Sequence, residues 1–350
     1  MKKTLIIVIT ITLISSAIST YYLLSVGFKK QESQGAVTLN YFFENEPSDD
    51  FSSDPYISSL YRPGDLLYQP VLDYQNGRLD RAIPKLKDLS EAGNSDAMFW
   101  YADHLMKVSV KSRFDGYNWF EKSANLGNPY SALMLDDDNY WCQMYFPSLC
   151  NEHWGELATK LLQERAETGD FRAEFYLNKP SSFRTADDFK KMVEAVNKAA
   201  QYHYYVPAMI LLGRFSRDPN IDDAKKEALA HVYNFMAKYN YIPAYDGLYE
   251  QSGLTKTYNI ALKLGSKSQI VDLVLRCHKG YEGRPQDEKL KCLSWGYILE
   301  EAFNDNYAWA FFPKPSNRQE EMVVTELADE FIKSMTPMIY IDEMHVDGYF

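Results

Sequence analysis

The sequence predicts an all-α fold, in which a solenoid of antiparallel helix hairpins follows an N-terminal membrane segment. Three observations lead to this prediction. An uncharged stretch runs from Thr4 to Phe28, a helical phrase recurs at regular spacing, and each copy contains a residue suited to ending a helix. The composition agrees, because 46% of the residues are hydrophobic and 15% are aromatic, enough to fill a packed core.

The first element is residues 1–30, which we interpret as an uncleaved signal anchor with residues 4–28 in the inner membrane. As a helix, its apolar part is about 36 Å long at roughly 1.5 Å per residue. That length crosses a hydrocarbon core of about 30 Å. The alternative is a signal peptide cleaved at residues 17–19. Apolar residues continue past this point, which favours the anchor.

Residues 31–62 are polar and acidic, and we interpret them as a linker that leads away from the membrane. Within the linker, "VTLNYFF" is expected to form a short strand or to dock on the domain. The solenoid is assigned to residues 63–303, and a capping helix with a tail is assigned to residues 304–350.

The repeats are recognised by phrases such as "FEKSANLGNPYSALML" and "LLQERAETGDFRAEFYL", each with a turn near its centre. Successive turns are separated by 34, 42, 35 and 36 residues, a period typical of helix-hairpin solenoids. The predicted turns lie at Gly93, Gly127, Gly169, Tyr204 and Asn240.

Each turn has a local physical reason. Gly127 can adopt the left-handed conformation that ends a helix, and Pro129 suits the first turn of the next one. Asn240 replaces glycine because asparagine tolerates the same conformation. Tyr204 does not fit this rule, so we expect one extra residue in its turn. A small side chain follows each turn and lets the two helices approach closely: Ala97, Ser131, Ala173, Ala208 and Ala244.

The pattern changes at two places. The 42-residue spacing contains an insertion at residues 136–155, whose aspartates 136–138 we interpret as a solvated turn rather than a calcium loop. After Asn240 we expect a turn at Gly265 and helices over residues 268–278 and 286–302. A final helix over 317–334 caps the solenoid, and the alternating tail "MIYIDEMHVDGYF" is expected to pack back as an extended strand.

The four cysteines form two local pairs, Cys142 with Cys150 and Cys277 with Cys292. The even number and the pairing favour disulfides in an oxidising compartment. Four reduced thiols remain an alternative. A zinc site is a third option because His153 and His278 lie near cysteines, but neither spacing supplies four ligands.

The repeat phrases resemble the Sel-like repeat family, which is related to the tetratricopeptide repeats. Residues 119–120, Ser123, Ala124, Gly127 and Ala132 carry the resemblance best. The resemblance covers roughly residues 78–250 and implies an α-solenoid that binds other proteins. It also implies possible roles: some bacterial members in the envelope act as immunity proteins beside secreted toxins such as phospholipases, and others are scaffolds, adaptors or regulators.

No catalytic signature is present in the sequence. Ser-x-x-Lys, His-Glu-x-x-His, Gly-x-Ser-x-Gly and phosphate-binding glycine loops are all missing, and the six histidines are dispersed. We therefore predict a protein that is not an enzyme, with no catalytic residues, no cofactor and no metal. An enzyme would instead show a cleft with convergent ionisable groups.

The remaining candidates are surface residues that bind a protein. Tyrosine gives large contact area at low entropic cost, and 27 tyrosines are present. Tyrosines at two turns are expected near one edge, although they would alternatively fill gaps between repeats: Tyr202, Tyr204, Tyr205, Tyr239 and Tyr241. On the first helix of a hairpin, family analogy places Tyr117, Asn118 and Glu121 on the concave face.

The charge balance bears on the partner. Beyond residue 30 the chain has 33 basic and 48 acidic side chains, so it should repel nucleic acid and suit a basic protein. Solubility alone is the plainer explanation of this acidity. We expect a single-pass inner-membrane protein whose bulk lies in the periplasm, with a basic secreted toxin as the leading partner. An envelope scaffold, adaptor or regulator is the alternative.

Overall fold

The computed structural model describes residues 28–30, 32–45, 50–252 and 258–348. Within these ranges the chain is helical and forms no β-strand, which confirms the all-α prediction. Among the described helices, none has both the length and the apolar character needed to cross a membrane. The predicted anchor lies outside the described residues, apart from its last residues 28–30.

The helices α1 to α17 follow one another along the chain. Most connections are short, but residues 45–67 separate α1 from α2 and residues 304–317 separate α16 from α17. In order they are α1 Tyr41–Glu44, α2 Tyr68–Gln75, α3 Leu79–Glu91, α4 Ser95–Val108, α5 Arg113–Asn125, α6 Pro129–Leu135, α7 Tyr140–Tyr145, α8 Glu152–Glu167, α9 Phe171–Asn178, α10 Ala186–Ala200, α11 Val206–Phe215, α12 Asp223–Lys238, α13 Ile242–Ser252, α14 Tyr258–Lys263, α15 Lys267–His278, α16 Gln286–Phe303 and α17 Arg318–Ser334.

Helices pack mainly against their neighbours in the series, as in a helical solenoid. The hairpins are α3–α4, α5–α6, α8–α9, α10–α11, α12–α13 and α14–α15. The small residue after each turn is buried between the two helices. At Ser131, for example, the hydroxyl lies 2.6 Å from the Ser123 hydroxyl of the preceding helix.

The glycine turns form as predicted. Gly93, Gly127 and Gly169 have φ angles of +97°, +94° and +93°. Residues that carry a side chain rarely adopt such angles. The next residue caps the following helix: the Asn128 side chain, for example, accepts a hydrogen bond from the Ser131 N–H at 2.9 Å. Each Gly-Asx pair therefore ends one helix and starts another.

The turn assigned to Tyr204 is centred one residue earlier. His203 adopts the left-handed conformation, with φ of 60°, and Tyr204 is the extra residue before α11 begins at Val206. Asn240 also has φ of 60°, as expected for the asparagine that replaces glycine.

The N-terminal part of the predicted linker packs on the helices. Residues 35–38 form a 3₁₀ turn and α1 follows, so "VTLNYFF" docks in helical form and not as a strand. Leu39 and Phe42 are fully buried, and the Phe42 ring centre lies 5.0 Å from that of Phe235 in α12. This segment contacts α11 and α12 together and extends the core between them.

Both cysteine pairs lie at disulfide distance. The Sγ–Sγ separations are 2.12 Å for Cys142–Cys150 and 2.16 Å for Cys277–Cys292. The first pair closes the insertion that contains α7. The second joins α15 to α16, the antiparallel helices predicted for this part of the chain.

The helix series closes on itself. The Arg78 guanidinium donates hydrogen bonds to the backbone oxygens of Glu300 and Glu301 at the end of α16, at 3.1 and 2.9 Å. Asn304 donates to the Gly77 oxygen at 3.4 Å. Residues near the start and the end of the series therefore touch, and we call helices α2–α17 the helix ring.

The tail packs back as predicted, but it forms no strand within the described residues. Residues 336–347, which we call the central segment, run in irregular form through the centre of the helix ring. Met338, Ile339 and Ile341 are buried there, in clusters that contain residues of many hairpins.

Candidate functional site: the centre of the ring and an exposed aromatic surface

The fold brings the five predicted tyrosines together, but it buries most of them. Tyr202, Tyr204, Tyr205 and Tyr241 line one small cavity, and the Tyr239 ring lies 6.5 Å from that of Tyr205. Tyr204, Tyr205 and Tyr241 are buried, so their rings fill the space between repeats, the alternative considered from the sequence. Tyr239 is half-buried beside His203. Only Tyr202 is exposed, and its ring stacks on Phe171 with a centroid distance of 5.4 Å.

The predicted positions on α5 face the insertion. The Tyr117 ring lies 5.6 Å from Phe146, which follows α7. Asn118 is exposed and Glu121 is half-buried. Tyr117 therefore lies beside the insertion.

Side chains around the ring hold the backbone of the central segment. Gln75 donates to the Met338 oxygen at 3.1 Å and accepts from the Tyr340 N–H at 2.8 Å. Tyr68 donates to the Pro337 oxygen at 2.6 Å. The extended segment thus lies along α2 and satisfies its polar groups without a sheet partner.

Two adjacent carboxylates of the central segment are buried in the middle of the ring. The Tyr204 hydroxyl donates to Asp342 at 2.7 Å, and the Arg172 guanidinium pairs with Glu343 at 2.6 Å. The His345 ring lies 2.9 Å from Asp342. Helix α9 supplies the cation and the turn before α11 supplies the hydroxyl that bind this acidic pair.

The two carboxyls respond differently to burial. For Glu343, burial raises the pKa more than the Arg172 charge lowers it, so the pKa lies above its ordinary value. Burial also acts to raise the pKa of Asp342, but His345, Tyr204 and Arg172 outweigh it and hold the pKa below its ordinary value. The site thus stabilises the charged form of Asp342 and destabilises the charged form of Glu343.

A small cavity lies beside the central segment, with a volume of 70 Å³. Tyr241, Phe171, Arg172 and Asp342 are among its lining residues. Among the described residues the buried Tyr241 hydroxyl finds no hydrogen-bond partner. The space is large enough for a few water molecules, since one water needs about 10–15 Å³ of such volume.

Residues 52–60, from the N-terminal part of the chain, pack over the centre of the helix ring. The Asn240 amide donates to the backbone oxygens of Ser52 and Asp54, both at 2.9 Å. Leu60 N–H donates to the Ile339 oxygen at 2.9 Å and Ser59 accepts from the Ile339 N–H, so the end of this segment lies directly on the central segment. The centre of the ring is consequently filled by the protein's own chain.

Exposed apolar side chains occur in the insertion and at the turn between α4 and α5. Tyr140 and Phe114 are 70% and 67% exposed, and the nearby Trp141 is 43% exposed. The Arg113 guanidinium stacks on Tyr145 at 4.9 Å and joins the start of α5 to α7. We call the following residues the insertion surface: Val108, Val110, Phe114, Tyr140, Trp141 and Met144.

The outer side of α17 is a second exposed surface. Met322, Val323 and Leu327 are exposed there, beside the carboxylates of Glu326 and Asp329. The opposite side of α17 packs on α16 through Val324 and Ala328. An apolar strip edged by acidic groups therefore ends the helix series.

In the described parts of the chain, ionisable groups with shifted pKa values meet at the acidic pair, where Asp342 and Glu343 contact Tyr204 and Arg172. Burial lowers the pKa of His104 and of His203, but the two lie in different hairpins. Over the same residues, no cluster of three or more histidine, cysteine or acidic side chains is placed to hold a metal ion.

The acidic pair, Asp342 with Glu343, and the side chains that bind it, Arg172 and Tyr204, were not predicted from the sequence. The alternation of apolar and acidic residues in the tail was the available signal, but it predicted a strand. It did not reveal that Arg172, more than 160 residues earlier, would face Glu343. Comparison with models of known protein families gives no match for this chain, and no curated protein is similar to it.

Proposed function

We propose that this chain is a non-enzymatic, protein-binding helical solenoid of the bacterial envelope. Residues 4–28 hold it at the outer side of the inner membrane, and its partner is a basic secreted protein, an antibacterial toxin that it neutralises. The resemblance of the repeats to the Sel-like family and the acidic balance of the chain support this proposal.

The observation that carries the proposal is the insertion surface. Tryptophan, tyrosine and methionine are enriched in protein interfaces, and a monomer rarely exposes a group of such side chains without a partner. The Cys142–Cys150 pair closes this part of the chain, which reduces the entropy lost when a partner binds. The side chains of the insertion surface are exposed, so a folded partner can reach them.

Charge favours a basic partner. The chain has 48 acidic and 37 basic residues, and its field attracts a cationic protein and accelerates their encounter. The aromatic side chains then contribute most of the binding free energy, and the acidic field increases the association rate.

The test is co-purification of the full-length chain with the product of an adjoining gene, followed by titration calorimetry. We expect Trp141→Ala to weaken binding at least tenfold, as for an interface hot spot. Tyr307→Ala is the matched control, because Tyr307 is an exposed aromatic residue outside the insertion. Absence of a complex, together with no protection of cells that make the adjoining product, would refute the proposal.

An envelope adaptor is the second candidate, and the α17 surface favours it. An adaptor needs two separate docking surfaces, and Met322 with Leu327 provides one apart from the insertion. It predicts several partners and a defect on gene loss in cells that never meet a toxin. Met322→Glu would then remove one partner and leave the binding at Trp141 unchanged.

A further inference from the structure

The central segment is bound in the way that a protein binds a peptide. Its backbone groups meet side chains, Gln75, Tyr68 and Ser59, in place of a sheet or helix ladder. Its apolar side chains enter the clusters on either side, as Met338 and Ile339 do. Backbone contacts combined with side-chain pockets are the general mode of extended-peptide recognition.

Recognition is specific at the acidic pair. Arg172 is only 12% exposed and contacts Glu343, whereas Tyr204 is buried and donates to Asp342. Such charge-assisted bonds are short and directional, so they distinguish carboxylates from amides. The Arg172 guanidinium also lies over the Tyr130 ring at 5.0 Å, which fixes its position.

The fit of the segment is incomplete. The 70 Å³ cavity touches residues 339–342, and among the described residues the hydroxyls of Tyr241 and Tyr130 are buried without a hydrogen-bond partner. Protein interiors are normally close-packed and their buried polar groups are normally paired. The packing of the segment is therefore not tight along residues 339–342, where the cavity lies.

The segment also follows the last helix of the series. Its departure would break no connection between hairpins, because α17 ends at Ser334 before it begins. Attachment to α17 gives it an effective concentration in the millimolar range, enough to fill a site of modest intrinsic affinity.

We propose that the centre of the helix ring is a peptide-binding site, and that residues 336–347 occupy it in cis as a displaceable ligand. The ligand class is an extended peptide with apolar residues followed by two adjacent carboxylates, as in Met338–Glu343. Trp141 of the insertion surface borders residues 343–348 in a second cavity. The contacts that hold the acidic pair come from Arg172 and Tyr204, outside the insertion, so this inference does not rest on the proposed partner.

The experiment uses the full chain with a protease recognition sequence inserted between Ser334 and Met335, at the exposed end of α17. Cleavage after folding leaves the central segment bound without a covalent link. A fluorescent peptide of residues 336–348 is then added in excess, and exchange is followed by anisotropy. A control peptide carries Asp342→Asn and Glu343→Gln.

We expect the cleaved protein to exchange its segment for the labelled peptide and to bind the control peptide at least tenfold more weakly. Uncleaved protein should bind the labelled peptide at least tenfold more weakly than cleaved protein does. Three results would overturn the proposal: no exchange, loss of helicity when the segment leaves, or equal binding of the control peptide.

A second measurement needs no insertion. In the intact protein, hydrogen exchange at the Tyr340 and Ile341 amides should be at least tenfold faster than at the amides of α11, because a displaceable segment opens without unfolding its site. Equal protection of the segment and of α11 would show that it belongs to the permanent core.

Discussion

At the residue scale, Arg172 carries the largest electrostatic role in the centre of the ring. Burial acts to lower the pKa of its guanidinium, but the opposite charges around it, chiefly Glu343, raise that pKa well above its ordinary value. The nearby Tyr204 places its hydroxyl on the adjacent Asp342. One cation thus organises two buried acids from a distant part of the chain.

The first prediction concerns this pair. Arg172→Met should lower the free energy of unfolding by about 3–5 kcal/mol, because Glu343 stays buried without its cation. The double variant Arg172→Met, Glu343→Met should recover most of that loss, since it removes both desolvated charges. Urea unfolding followed by circular dichroism measures both. Equal destabilisation of the single and double variants would contradict this account.

The second prediction concerns pH and Asp342. Its pKa is lower in the folded chain than in the unfolded chain, so its stabilising contribution is present above the unfolded value of about 3.9 and is lost as the pH falls through the folded value. At neutral pH, Asp342→Asn should cost about 1–3 kcal/mol. The difference from the native protein should shrink below about pH 4.

Unfolding measured from pH 7 to pH 3 tests this second prediction. Asp329→Asn is the control, because Asp329 is exposed on α17 and should show little difference at any pH. A gap between native protein and Asp342→Asn that stays constant with pH would be inconsistent with a lowered pKa.

At the element scale, the turns do more than reverse the chain. Gly127 meets nothing within 4 Å at the position of an added Cβ, so its requirement is conformational alone. Asn240 fills the equivalent place in its hairpin, but its amide also binds the backbone of Ser52 and Asp54. The same backbone position therefore serves a turn in one hairpin and a turn plus a tertiary contact in another.

The third prediction separates these roles. Asn240→Gly should lower the free energy of unfolding by about 1–2 kcal/mol, although glycine adopts positive φ more easily, because two buried hydrogen bonds are lost. Gly127→Asn is the matched comparison and changes only the backbone preference. Hydrogen exchange should show that residues 52–60 loosen only in Asn240→Gly; unchanged protection there would count against the tertiary role.

At the scale of the whole molecule, closure of the series distinguishes this fold from an open solenoid. Open solenoids expose a concave binding surface, and their repeats contact only their neighbours. Here Arg78 joins α3 to the end of α16, and the central segment fills the interior. Hairpins far apart in sequence are therefore coupled in stability.

The fourth prediction tests this coupling. Arg78→Ala should lower hydrogen-exchange protection in α3 and α16 together, with a cost of about 1.5–3 kcal/mol for the lost charge-assisted bonds. Lys87→Ala is the control, because Lys87 is exposed and its ion pair is to Glu91 in the same helix. Loss of protection confined to α3 would mean that the contact does not hold the ring.

The helices and the glycine turns were predictable because their causes are local. Gly93, Gly127 and Gly169 need only their own φ angle, and the amphipathic period of each helix is written in neighbouring residues. The turn centred on His203 was predicted one residue too late, at Tyr204, because tyrosine and histidine indicate a turn less strongly than glycine does. The cysteine pairs could be matched since each closes a short loop.

The sequence by itself determined the helical hairpins, their period and the pairs of cysteines. Only the tertiary structure decided that the series closes, that the tail fills its centre, and that Arg172 meets Glu343 there. The physical reason is range: a helix or a turn is stabilised by residues within one or two turns of chain. A contact across 171 residues depends on the small rotation added at every hairpin, which no local pattern encodes.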